Sequence, residues 1–92
     1  AELLVTGEAA GAFLDYALLA KYSILTVGRA KYGLIVNQSG HVLDDLITYR
    51  LADDEFLVVP NAGNAVAVAE ALTARRIEFT TQLYHSIPGL IG

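Results

Sequence analysis

The 92-residue chain predicts an α+β fold: a mainly antiparallel sheet with two helices on one face, close to a ferredoxin-like arrangement with an added strand. Three observations carry that expectation. An alanine- and leucine-rich run over 8–20 has apolar residues at helical spacing. Three β-rich segments follow one another between 32 and 59, separated by the turn-forming stretches Asn37–Gly40 and Ala52–Glu55. Connections that short join antiparallel neighbours, because a parallel pair needs a crossover of a dozen or more residues. A second helical stretch then begins just beyond Pro60.

Taken in order, residues 2–6 read as a short strand ended by Gly7. The helix over 8–20 rests on Phe13 with Ala17 and Leu14 with Leu18, both at i,i+4 spacing. Residues 21–31 contain Ser23, Thr26 and Gly28 without a clean period, and are expected to form an irregular connection with a short strand near Ile24. Residues 32–36 form a strand, and Gly40 supplies a position for positive φ in the turn that follows. The next strand runs from Val42 to about Leu51. Phe56, Leu57, Val58 and Val59 are apolar on both faces, as expected of a central strand covered on each side. Pro60 stops that ladder. Asn61 or Asn64 is placed to cap a helix over 65–76, with Val68, Leu72, Val66 and Ala69 as its buried stripe. Residues 77–83 favour β structure and give a last strand, and 84–92 form an unassigned tail. The order is β-α-β-β-β-α-β in a single domain over 1–92.

Composition narrows the function. Hydrophobic residues make up 54% of the chain and charged residues 17%, against ~45–50% and about 25% for soluble domains. A domain this small buries only about 60–65% of its unfolded surface. Apolar surface should therefore remain exposed, and points to a partner: another domain, a second copy in a homo-oligomer, or a large ligand. No apolar run approaches the ~20 residues of a membrane span. The absence of cysteine excludes a disulfide scaffold, a thiolate metal site and a cysteine nucleophile. With a net charge of −4 and six dispersed basic residues, the chain lacks the concentrated basic surface of a nucleic-acid binder. It has no methionine and begins at Ala1, as a cut from a longer chain would, and no signal peptide is expected.

An acidic pair marks the strand over 42–51. Alternation places Leu43, Asp45, Ile47, Tyr49 and Leu51 on one face, and Val42, Asp44, Leu46, Thr48 and Arg50 on the other. Asp45 is the acid on the more apolar face, where a carboxylate must find donors, stay protonated or meet a ligand. Asp44 needs no such account. The residues alone leave Asp45 open between a structural role and a ligand-facing one, and Asn61 open between a helix cap and a ligand contact. Tyr32 and Tyr49 are read first as packing residues. A metal cluster of His41 with the acids is disfavoured, since His41 and Asp45 on one strand face would lie about 13 Å apart. His85 beside Ser86 lacks a third member for a triad. The glycines do not have the spacing of a phosphate-binding loop.

The segments Gly28-Arg29-Ala30-Lys31-Tyr32, Val36-Asn37-Gln38-Ser39-Gly40, Leu43-Asp44-Asp45-Leu46-Ile47-Thr48-Tyr49-Arg50 and Phe56-Leu57-Val58-Val59-Pro60-Asn61-Ala62-Gly63-Asn64 together resemble, in order and spacing, part of the first, folate-binding domain of glycine-cleavage T-proteins, the aminomethyltransferases. The likeness runs from about Gly7 to Arg76. It implies a tetrahydrofolate site in an enzyme that takes an aminomethyl group from the lipoyl arm of H-protein, releases ammonia and forms 5,10-methylenetetrahydrofolate. On this resemblance Asp45 is the catalytic aspartate, orienting and stabilising charge at the folate nitrogen and an iminium-like intermediate. Asn61 hydrogen-bonds the pterin, and Tyr32, Tyr49 and Val59 line the pocket, with no metal. The family's cellular setting is the cytoplasm, or the mitochondrial matrix in eukaryotes. Family members are much longer and close the folate hole between domains, so the expectation for this chain is a fragment or truncated relative, inactive alone. The alternative is a non-enzymatic α+β domain, engineered or isolated, that self-associates. His41 stands where the family commonly has glycine.

Overall fold

The structure, a computed structural model, describes residues 2–37 and 39–86. Strand β1 (Leu3–Thr6) leads to helix α1 (Ala10–Leu18), then strands β2 (Ala30–Val36), β3 (Val42–Ala52) and β4 (Glu55–Val59). A 3-10 turn (Ala62–Asn64) runs into helix α2 (Ala65–Ser86). The strands form one antiparallel sheet in the order β1-β4-β3-β2, and both helices contribute to a single core on one face of it. The α+β class, the antiparallel sheet and the two helices on one face are as expected. No helix among the described residues is long and apolar enough to cross a membrane.

Helix α1 buries the residues its periodicity selected, Phe13, Leu14, Ala17 and Leu18. It stops at Leu19, which takes a left-handed conformation at φ 54°. The chain beyond is held by Asp15, whose carboxylate accepts from the Tyr22 and Ser23 N–H groups and from the Ser23 hydroxyl. Arg50 secures the same connection from the sheet side. Its guanidinium donates to the carbonyls of Ser23 (3.0 Å), Leu25 (2.7 Å), Ala52 (3.3 Å) and Asp53 (2.7 Å) and lies 5.0 Å from the Phe56 ring centroid. This stretch holds no strand near Ile24, which is exposed. A loop tied by one carboxylate and one guanidinium needs no ladder to order it.

Two further expectations fail at α2. Residues 77–83 are helical rather than a strand. The β-favouring side chains there are overruled by packing: Phe79 meets the Phe13 ring edge-on at 5.7 Å and the Tyr16 ring at 5.9 Å. Arg75 and Glu78 form an i,i+3 ion pair at 2.9 Å across the supposed boundary. The buried stripe is Val68 and Leu72, continued by Phe79, whereas Val66 is exposed. Of the tail at 84–92, residues 84–86 extend α2 and 87–92 lie outside the described residues.

Tyr22 projects under the sheet and is fully buried. Its approach requires glycine at position 33, where a Cβ would stand 1.8 Å from the Tyr22 hydroxyl. The Tyr22 and Thr48 hydroxyls interact with each other without a hydrogen bond of normal geometry.

The core face of the sheet carries Ile35, Asp44, Leu46, Thr48, Phe56 and Val58, all buried. The opposite face is open: Leu4, Tyr32, Leu34, Tyr49 and Leu51 are all exposed. Strand β4 is central in the sheet, as expected, but is covered on one face only; Phe56 and Val58 are buried while Leu57 and Val59 are half-buried.

Candidate functional site

Register assembles the site. Strand pairing sets Tyr32 opposite Ile47 and Ile47 opposite Val59; it sets Leu34 opposite Asp45, and Tyr49 opposite Leu57. Residues paired across neighbouring strands point to the same face. Tyr32, Asp45, Tyr49 and Val59 therefore share the open face of the sheet, as two rows of aromatic and aliphatic side chains with a carboxylate at one end. Tyr32 is the most exposed large side chain of this face, at 77%.

Asn61 joins them because Pro60 ends β4 and turns the chain, leaving Asn61 in an extended conformation (φ −64°, ψ 143°). Its side chain makes no capping bond. Instead Nδ2 donates to Asp45 Oδ1 (3.0 Å), the Asp45 carbonyl (2.8 Å) and Asp44 Oδ1 (2.7 Å). The residue expected either to cap a helix or to contact a ligand is thus bound to both acids of the pair.

The two acids exchange the roles their strand pattern suggested. Asp44 is buried, at 4% exposure, and Asp45 is exposed. The split of side chains between faces is as expected, but the helices cover the face of Asp44, Leu46 and Thr48 and leave the more apolar face uncovered. Counting apolar residues on one strand does not reveal which face the helices choose. Asp44 Oδ2 accepts the Asn61 N–H at 2.8 Å, and Oδ1 accepts Asn61 Nδ2 at 2.7 Å and Asn64 Nδ2 at 3.0 Å. Burial alone would push its carboxyl up. The donors of Asn61 and Asn64, with the Asp45 N–H, outweigh that and hold it below the ordinary carboxylate value.

Asp44 and Asn64 are the participants that sequence reasoning passed over. The sequence signal was limited to two asparagines, Asn61 and Asn64, close together just before a helix. His41 is exposed and its N–H is bonded to Asn37 Oδ1 at 3.0 Å. Among the described residues no group of three or more His, Asp or Glu side chains is arranged to hold a metal.

A cleft of about 640 Å³ lies at the β1 edge, between β1, α1 and α2, lined by Leu3, Phe13, Leu72, Arg76 and Phe79 among others. None of Tyr32, Asp45, Tyr49, Val59 and Asn61 lines it, so this cleft and the cluster of polar and aromatic groups are separate places. The open face is an exposed platform. It can seat a flat ring against tyrosine and aliphatic side chains, beside a carboxylate able to stabilise positive charge once water is displaced.

A family model described as the GCVT N-terminal domain matches residues 1–86. An aminomethyltransferase of Corynebacterium jeikeium is 52% identical over 82 residues, covering 89% of this chain and 21% of that protein. One of Saccharopolyspora erythraea is 51% identical over 78 residues, covering 85% and 21% respectively. Among solved structures, the glycine cleavage system aminomethyltransferase T of Bartonella henselae superimposes with a TM-score of 0.76 at 40% identity, covering 80% of this chain and 20% of that one. The chain spans about a fifth of the length of the relatives it matches.

Proposed function

This chain belongs to the GCVT N-terminal domain family of aminomethyltransferases, and from that premise we propose that its open sheet face is one side of a tetrahydrofolate site. Tetrahydrofolate, when bound, supplies the nitrogens that accept the one-carbon unit. The residues do the rest. Tyr32, Tyr49 and Val59 form the surface on which the pterin lies. Asp45 sets its carboxylate against the reacting nitrogens, where it favours developing positive charge more strongly as water leaves. Asn61 holds Asp45 through Nδ2 and meets the pterin with the remainder of its carboxamide. The aminomethyl donor is the lipoyl arm of H-protein. Because the chain covers about a fifth of its relatives, it provides one wall of the site and does not turn over alone.

The observation that carries this reading is the convergence of Asp45, Tyr32, Tyr49 and Val59 on one uncovered face, with Asn61 bonded to Asp45 at 3.0 Å. Chemical-shift mapping with tetrahydrofolate tests it. Shifts clustered on Tyr32, Asp45, Tyr49, Val59 and Asn61 are expected; shifts confined to the β1 cleft, or none, would overturn it. Methylene transfer from aminomethyl-loaded H-protein is expected at background level, and clear turnover would refute the claim of a partial site.

The exposed Leu4, Tyr32, Leu34, Tyr49 and Leu51 favour one competing occupant, a second copy of this chain packed face to face. A solution mass twice that of the chain, with tetrahydrofolate unable to dissociate it, would support that reading instead.

A further inference from the structure

The buried acid of the pair has no place in the reading above, yet it makes more hydrogen bonds to Asn61 than Asp45's carboxylate does. Three acceptors surround Asn61 Nδ2: Asp44 Oδ1, the Asp45 carbonyl and Asp45 Oδ1, at 2.7, 2.8 and 3.0 Å. A carboxylate and a carbonyl can only accept. The carboxamide is therefore fixed one way round, because a half-turn would set Oδ1 against three oxygens. Asp44 enforces this most strongly, as it is the buried, charged partner at the shortest distance and also grips the Asn61 N–H. Asn64 Nδ2, on the same Asp44 oxygen at 3.0 Å, steadies the carboxylate. No donor among the described residues reaches Asn61 Oδ1, and Asn61 is exposed.

We infer that Asp44 is a positioning residue: it locks the Asn61 carboxamide with its nitrogen toward the acids and its oxygen toward the open face, so that the site selects a ligand edge bearing an N–H donor. This rests on the folate reading for the ligand but not for the lock. On a pterin the edge selected is the one formed by the ring N–H and the exocyclic amino group, not the carbonyl. A freely turning carboxamide would accept either edge. The fixed one discriminates, because a carbonyl placed against Oδ1 leaves two acceptors facing each other.

The test uses the isotopically labelled chain. In the unaltered protein a through-hydrogen-bond coupling between Asn61 Nδ2 and the Asp44 side-chain carboxyl carbon is expected, and its absence overturns the lock without any variant. Asp44→Ala removes both oxygens that hold Asn61, so the Asn61 carboxamide keeps only the two Asp45 acceptors and its N–H loses its partner. In the folded variant its NH2 should exchange with solvent about ten-fold faster, and tetrahydrofolate affinity should fall by about ten-fold or more. Unchanged NH2 exchange overturns the lock, and faster exchange with unchanged affinity overturns the selection. If the unaltered chain shows the coupling but takes up no tetrahydrofolate, the folate reading fails while the lock stands.

Discussion

Alanine at position 33 should destabilise the protein, and removing one oxygen elsewhere should cure it. The new methyl group would stand 1.8 Å from the Tyr22 hydroxyl and 3.1 Å from the ring carbon that bears it. Tyr22 is fully buried, so it has no solvent to move into and the core must absorb the collision. Overpacking of this kind costs about 1–3 kcal/mol, against which a strand gains about 0.5–1 kcal/mol when glycine becomes alanine. The net prediction for Gly33→Ala is a loss of roughly 1–2 kcal/mol, or about 5–15 °C in Tm for a domain of this size. Tyr22→Phe removes the colliding atom. That hydroxyl lacks a normal hydrogen bond, so its loss alone should change stability by less than about 1 kcal/mol. In the Tyr22→Phe background the methyl meets two ring carbons, at 3.1 and 3.8 Å, so a shift of a few tenths of an ångström accommodates it and Gly33→Ala should be close to neutral. The assay is urea and thermal unfolding of the four proteins, followed by circular dichroism, giving a coupling of about 1–2 kcal/mol. Equal costs of Gly33→Ala in both backgrounds would refute the reasoning, since the glycine would then be required for something other than room for Tyr22.

Arg50→Lys retains the charge but cannot reach four carbonyls with one ammonium; a loss of about 1–2 kcal/mol is expected, with faster amide exchange over 23–28, and unchanged exchange there would deny Arg50 its hold on the loop. Asp44 and Asp15 both have carboxyls held below their ordinary value, in each case because donors outweigh burial, with the Lys21 charge assisting at Asp15. A depressed carboxyl pKa adds stability that is fully present above the unfolded value, about 3.9, and is lost as pH falls through the folded value. The unfolding midpoint should therefore change little from about pH 7 to 5 on account of these groups and drop below about pH 4, with a smaller acid-side drop in Asp15→Asn; an acid profile identical in that variant would contradict the assignment.

The parts of this fold legible in the sequence were those set by local chemistry. The α1 stripe of Phe13, Leu14, Ala17 and Leu18 was visible because four side chains at helical spacing admit one buried face. The β2, β3 and β4 meander was visible because its turns are too short for anything else. Where distant residues decided the outcome, local signals misled. Ile77, Phe79 and Thr80 favour a strand by type, but Phe79 finds Phe13 and Tyr16 only if the helix continues. Ile24 lies in a connection ordered by Asp15 and Arg50, contacts that separation in sequence conceals. The same limit governed the site. Alternation along β3 correctly grouped Asp45 with Tyr49, and the resemblance brought Tyr32, Val59 and Asn61 to the same place. Neither could say that the helices would cover the other face, which is why Asp44 was given no task and Asn61 was offered a cap. A buried carboxylate bound by two carboxamides becomes visible only once β3 and the turn after β4 stand side by side.

Isothermal calorimetry decides whether Asp45 lies at the point where this face meets tetrahydrofolate. Tetrahydrofolate is titrated into the unaltered chain and into Asp45→Ala, with the solution mass of each measured in the same buffer. Measurable binding by the unaltered chain is expected, and at least about ten-fold weaker binding by the variant, from loss of a charged partner, with both chains folded and of equal mass. Equal affinities would show that the ligand sits elsewhere, and no binding by an unaltered chain that proves to be a dimer would show that the face belongs to a second copy.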